Sequence, residues 1–113
     1  RRYEMLFGAD EMLLAGLATG ASGAVGSTYN FMTPYYRRVI SAFEQGDMEL
    51  AQREQSEASH HVHRILKHGG MNAIKATMNV AGPDFGPPRF PLQPLTEAQM
   101  KELGDEMRPI LHP

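Results

Sequence analysis

The chain has 113 residues, 42% hydrophobic and 21% charged, with a formal net charge of −2. That length fits one domain or part of a larger one, and the near-neutral charge excludes recognition of nucleic acid through a broad basic surface. Cysteine is absent, which excludes disulfides and thiolate chemistry.

The opening Arg1-Arg2-Tyr3-Glu4 lacks the apolar stretch of a signal peptide, and no later apolar run is long enough to cross a membrane. The expected location is cytoplasmic, with no membrane and no nucleic-acid partner. Tyr3 to Phe7 is a short apolar segment bounded by Gly8, and it reads as a buried strand. Asp10 is a good N-cap residue, and Glu11 to Thr19 is rich in Leu, Met and Ala, all helix formers. Gly20 closes that helix. Ala24 to Ser27 is a second strand candidate. Two strands joined by one helix form a βαβ unit, which implies parallel pairing.

Pro34 suits the first turn of a helix, where its missing N–H is no loss. That helix runs through Val39, Ile40 and Phe43 to Gly46, and Asp47 caps the next. Ala51, Glu54, Ala58, Val62, Ile65 and Leu66 recur at three- or four-residue spacing, so one face of this helix is core. Gly69-Gly70 breaks it. A shorter helix covers 72–80, ended by Gly82-Pro83. Residues 83–95 hold five of the eight prolines and form a loop or extended segment. Thr96 to Gln99 is a T-x-x-Q capping box opening a last helix to about Leu111. The order β-α-β-α-α-α-α poses a problem, because two parallel strands alone do not make a stable sheet. Either the front of the chain is the tail of a longer α/β fold, or the chain is a small helical domain without true strands.

Four groups of residues could carry chemistry. Asp10 and Glu11 read either as a capping acid plus a helix-dipole acid, or as carboxylates lining the functional face after a strand. Gly26-Ser27-Thr28-Tyr29-Asn30 also follows a strand candidate: it reads either as a ligand-facing turn, with Gly26 permitting close approach and Ser27 offering a hydroxyl, or as an N-cap loop feeding the Pro34 helix. His60, His61, His63 and His68 fall within nine residues, but no pair has the i,i+4 spacing that suits a metal on a helix. They read as a solvated or interface face, and no metal or cofactor is expected. The three lysines, Lys67, Lys75 and Lys101, all lie on predicted helices. Lys75 has apolar neighbours and reads as structural, so no catalytic residue is assigned within the chain.

Taken together, Gly8-Ala9-Asp10-Glu11, the stretch from Gly20 to Asn30, and Gly86-Pro87-Pro88-Arg89-Phe90-Pro91-Leu92 resemble the N-acetylneuraminate lyases, the sialic acid aldolases. The likeness runs over essentially the whole chain. The related dihydrodipicolinate synthases share the fold and the Arg-x-Pro-Leu stretch but usually differ at the first two motifs. The resemblance implies an α/β fold: the C-terminal portion of a (β/α)8 TIM barrel followed by a helical extension. Residues 1–46 would be the seventh and eighth βα units, and 47–113 the extension. Six strands would then lie upstream, which answers the two-strand problem.

The resemblance also implies a reversible aldol cleavage of N-acetylneuraminate to N-acetylmannosamine and pyruvate, through a Schiff base on a lysine outside this segment. A tyrosine that assists proton transfer also falls outside it. Carried over residue by residue, Gly8, Asp10, Glu11 and Ser27 match the substrate-binding positions that hold the sugar's hydroxyl tail. Implied partners are the small-molecule substrates and, for the full-length protein, three further copies in a homotetramer. The alternatives are a non-catalytic helical interaction module or a sister aldolase acting on another 2-keto acid.

Overall fold

The structure is a computed structural model that describes residues 3–112. It forms two compact units, Arg1–Val62 and His63–Pro113. In the first, β1 (Leu6–Phe7) leads through a 3-10 turn (Asp10–Met12) into α1 (Leu13–Ala18), then β2 (Gly23–Ala24) and α2 (Tyr29–Glu44). A long helix, α3 (Met48–Lys67), begins in this unit and ends in the next, which continues with α4 (Met71–Ala81) and α5 (Glu97–Leu111).

The βαβ expectation holds. β1 and β2 pair in parallel, with Leu6 opposite Gly23 and Phe7 opposite Ala24. Ser22 N–H donates to the Met5 carbonyl and Val25 N–H to that of Phe7, continuing the ladder at both ends. The strands are shorter than expected, and the second lies nearer the N-terminus than the predicted 24–27. The first is also not buried: Leu6 is 62% exposed, and Val25 beyond β2 is 61% exposed. A two-stranded parallel sheet has too few neighbours to cover both faces of its apolar side chains. α1 does cover part of one face, because Gly16 lies so close that a Cβ there would sit 2.3 Å from the Phe7 ring.

The two glycine stops of the first unit, Gly20 and Gly46, are as expected. Gly20 N–H donates to Leu17 and Ala21 N–H to Gly16, and Gly46 and Asp47 repeat the pattern on Phe43 and Ala42. Each is a left-handed glycine turn that satisfies the last carbonyls of its helix. Asp47 then caps α3, its Oδ1 accepting from Leu50 N–H at 2.9 Å.

α2 starts five residues before Pro34, at Tyr29. Met32 departs from helical geometry (φ −112°, ψ 16°). Proline cannot donate to the carbonyl four residues back and crowds it, so the helix breaks where sequence reasoning had it begin. Met32, Tyr36, Val39 and Ala42 form its buried stripe. Ala51, Ala58 and Val62 of α3 are also buried. Leu13 is 1% exposed, and full burial of such a side chain contributes about 1.5–3 kcal/mol.

In the second unit the core holds Ile65, Ala73, Ile74, Ala76, Leu103 and Met107. α5 opens with the expected capping box: Thr96 Oγ1 accepts from Gln99 N–H, and Gln99 Oε1 accepts from Thr96 N–H at 2.9 Å. Thr96→Ala is expected to lower stability by about 1 kcal/mol, measured as a shift in urea midpoint with an unchanged slope.

The histidines do not form one solvated face. His60 and His63 are exposed. His61 is buried edge-to-face against Tyr35, ring centroids 4.9 Å apart. His68 is largely enclosed and holds Glu106 through Nε2 at 2.7 Å. The i,i+1 and i,i+2 spacing of His60, His61 and His63 fans those three around α3, so the core face takes His61 and solvent takes the other two.

Candidate functional site

Parallel pairing puts the loops that leave the carboxyl ends of β1 and β2 on one edge of the sheet. In α/β folds that edge is where ligands bind. The first loop carries Gly8 to Glu11, and the second carries Val25 to Thr28.

Asp10 ties the two together. It is 7% exposed, and its Oδ2 accepts from the Thr28 backbone N–H at 2.9 Å. The same oxygen accepts a short hydrogen bond from Thr28 Oγ1. The Thr28 hydroxyl has spent its proton on Asp10, so the Tyr36 hydroxyl, 2.7 Å away, must donate to it. A chain of donors therefore runs Tyr36 to Thr28 to Asp10. Burial, opposed by the Thr28 hydrogen bond and assisted by the Asp10 charge, holds the Tyr36 phenol well above its usual range.

This corrects the capping expectation. Asp10 starts a 3-10 turn whose N-cap position is Ala9, with no side-chain cap. Its carboxylate instead serves the start of α2, where Thr28 stands at the N-cap and a negative charge is favoured by the helix dipole. Gly26 makes this possible. A Cβ at that position would lie 1.7 Å from Asp10 Oδ1, so the close approach that glycine permits is used by the chain's own carboxylate.

Glu11 is half-buried, and its backbone carbonyl accepts from Ser59 Oγ at 2.9 Å. No hydrogen bond or ion pair engages its carboxylate among the described residues. Ser27 is exposed, with its carbonyl accepting from Asn30 Nδ2 at 2.9 Å. Gly8 is exposed too, and a Cβ there would meet nothing within 4 Å. Tyr29 stacks edge-to-face on Tyr36 with centroids 4.3 Å apart. Its hydroxyl is buried without a hydrogen-bond partner among the described residues. Burial, with the Asp10 and Glu11 charges behind it, pushes the Tyr29 phenol up to about 12, so it stays protonated at neutral pH.

Sequence reasoning missed Gln55. Its side chain reaches from α3 to the first loop, with Oε1 accepting from Leu14 N–H at 2.9 Å and Nε2 donating to the Asp10 carbonyl at 3.3 Å. Ser59, one turn on, accepts from the same amide. A signal was available: Gln55 lies four residues after Ala51 and three before Ala58, on the apolar stripe. A polar residue at such a position has to find buried partners.

The strand-to-helix bends and the carboxylate they share define an α/β protein with its candidate site at the carboxyl ends of parallel strands. The dihydrodipicolinate synthetase family model matches residues 1–109, and the chain belongs to that family. Within it, the chain is similar to N-acetylneuraminate lyases. It is 41% identical to the rat enzyme over 113 residues, covering 92% of this chain and 35% of that one. Against the solved N-acetylneuraminate lyase of Proteus mirabilis the TM-score is 0.84 at 38% identity, covering 98% of this chain and 37% of that one. Against the sialic acid aldolase of Ruminococcus gnavus it is 0.86 at 29% identity, covering 98% and 38%. The chain thus spans little more than a third of the length of these relatives.

Proposed function

We propose that this chain is the C-terminal segment of an N-acetylneuraminate lyase. Residues 1–46 are the seventh and eighth βα units of its barrel and 47–113 the helical extension. The whole protein cleaves N-acetylneuraminate reversibly to N-acetylmannosamine and pyruvate. The keto acid is held as a Schiff base on a lysine outside this segment, so Lys67, Lys75 and Lys101 take no part. The working form is a cytoplasmic homotetramer.

Within that reaction the segment binds the sugar's hydroxyl tail through Gly8, Asp10, Glu11 and Ser27. The observation that carries this reading is the contrast between the two acids on one bend. Asp10 is fixed by Thr28, whereas Glu11 beside it has a carboxylate without a partner among the described residues. An ionised carboxylate offers only acceptor sites, which suits a chain of hydroxyl donors. Ser27, exposed at the end of the neighbouring loop, adds a hydroxyl able to donate or accept. Asp10 shapes the pocket wall and leaves its second oxygen, beside Gly26, for a ligand.

Borohydride trapping tests the reading. Pyruvate reduced onto the full-length protein is expected to mark one lysine upstream of residue 1, found by peptide mass. A modified peptide containing Lys67, Lys75 or Lys101 would overturn the assignment. So would pyruvate release from N-acetylneuraminate by the 113-residue chain on its own.

A further inference from the structure

The second unit contains a cleft that the lyase reading does not use. It is about 220 Å³ in volume and lies between one face of α4 and the proline-rich segment 83–95. A cleft of that size has room for several waters or a small molecule. Asn72, Lys75 and Asn79 line it at helical spacing from α4, Asp84 lines it from the segment, and Pro88 and Leu95 supply apolar wall.

We propose that this cleft binds a small zwitterion, one end of the ligand an ammonium and the other a carboxylate. Lys75 and Asp84 both face it, yet they form no ion pair with each other among the described residues. Each is held by something else. The Lys75 ammonium stands 5.8 Å from the centre of the Phe85 ring, within cation–π range. Asp84 Oδ1 accepts from Gly86 N–H at 2.7 Å, which fixes the carboxylate and leaves its other oxygen available. Asn79 Oδ1 accepts from Phe85 N–H at 3.2 Å and anchors the segment to α4.

Two opposite charges, positioned separately on one concave surface, complement a ligand with the reverse arrangement. A single anion would meet Asp84, and a single cation would meet Lys75; only a molecule carrying both charges gains at both ends. Asn72 adds a further acceptor. Its Oδ1 is buried without a hydrogen-bond partner among the described residues, and such groups in folded proteins normally find a donor. Nothing in this geometry depends on the aldolase reading.

Calorimetric titration of the full chain with glycine, 4-aminobutyrate and 6-aminohexanoate tests the proposal, with acetate and methylammonium as the separated halves. One length of amino acid is expected to bind saturably and more tightly than either half. Added salt should weaken it. Lys75→Met and Asp84→Asn should each weaken it about fivefold or more, while Lys75→Arg should retain it. The proposal is overturned if no member of the series saturates. It is equally overturned if acetate alone binds as well, or if either charge-removing variant binds with unchanged affinity.

Discussion

Gly26→Ala is expected to destabilise the first unit by about 2–4 kcal/mol. The added Cβ would lie 1.7 Å from Asp10 Oδ1 and 2.5 Å from its Cγ. Ordinarily a side chain yields to such a clash by rotating away. Asp10 cannot do so cheaply, because its other oxygen holds both the backbone N–H and the hydroxyl of Thr28. If the carboxylate leaves, two buried donors lose their acceptor. If it stays, the loop after β2 must move and α2 loses its anchored start. Urea denaturation of the full-length protein measures the cost. The double substitution identifies its source: in an Asp10→Ala background, Gly26→Ala should cost at least about 1 kcal/mol less than in the parent. An additive result would place the strain elsewhere.

The same contact shows where sequence reasoning stops. Local rules located Gly20, Gly46, Asp47 and the Thr96 box correctly, because each of those devices is satisfied within a few residues. The parallel pairing of β1 and β2 was also legible, since a helix between two strands leaves little choice. Asp10 was misread as a cap for its own turn because the competing partner, Thr28, lies 18 residues away. Local preference for an acid at a helix start is real, but it does not say which helix. Here the acid serves α2 and not the turn it opens.

Gln55 was missed for a similar reason. Its partners, Leu14 N–H and the Asp10 carbonyl, are 41 and 45 residues distant. The histidines failed differently, by an assumption that neighbours in sequence share a face. Helical geometry splits His60 and His61 between solvent and core. The exposed apolar side chains of β1 were unforeseeable from periodicity, which marks a strand as apolar without counting the strands available to cover it. The motif pair around Asp10 and Ser27 carries the resemblance to a family whose barrel would, under the proposed function, give these side chains neighbours.

Adjacent acids of one bend should separate cleanly by assay. Asp10→Ala removes the acceptor for the Thr28 N–H and for the Tyr36-to-Thr28 hydroxyl chain, all of it buried. Unsatisfied buried donors cost about 1–3 kcal/mol each, so a loss of about 2–4 kcal/mol in stability is expected. Asp10→Asn should recover part of it, since an amide oxygen can still accept the Thr28 N–H but offers α2 no charge. Glu11→Ala breaks no side-chain hydrogen bond or ion pair among the described residues, so stability should change by less than about 0.5 kcal/mol. Its effect should fall on substrate. The KM for N-acetylneuraminate should rise about tenfold or more, the worth of one charge-assisted hydrogen bond. Borohydride trapping of pyruvate should be unchanged if, as proposed, the keto acid is held outside this segment. If Glu11→Ala leaves the kinetics alone, the hydroxyl-binding role fails. If Asp10→Ala melts like the parent, the carboxylate is not what joins the two loops, and its place in the site has to be argued from substrate alone.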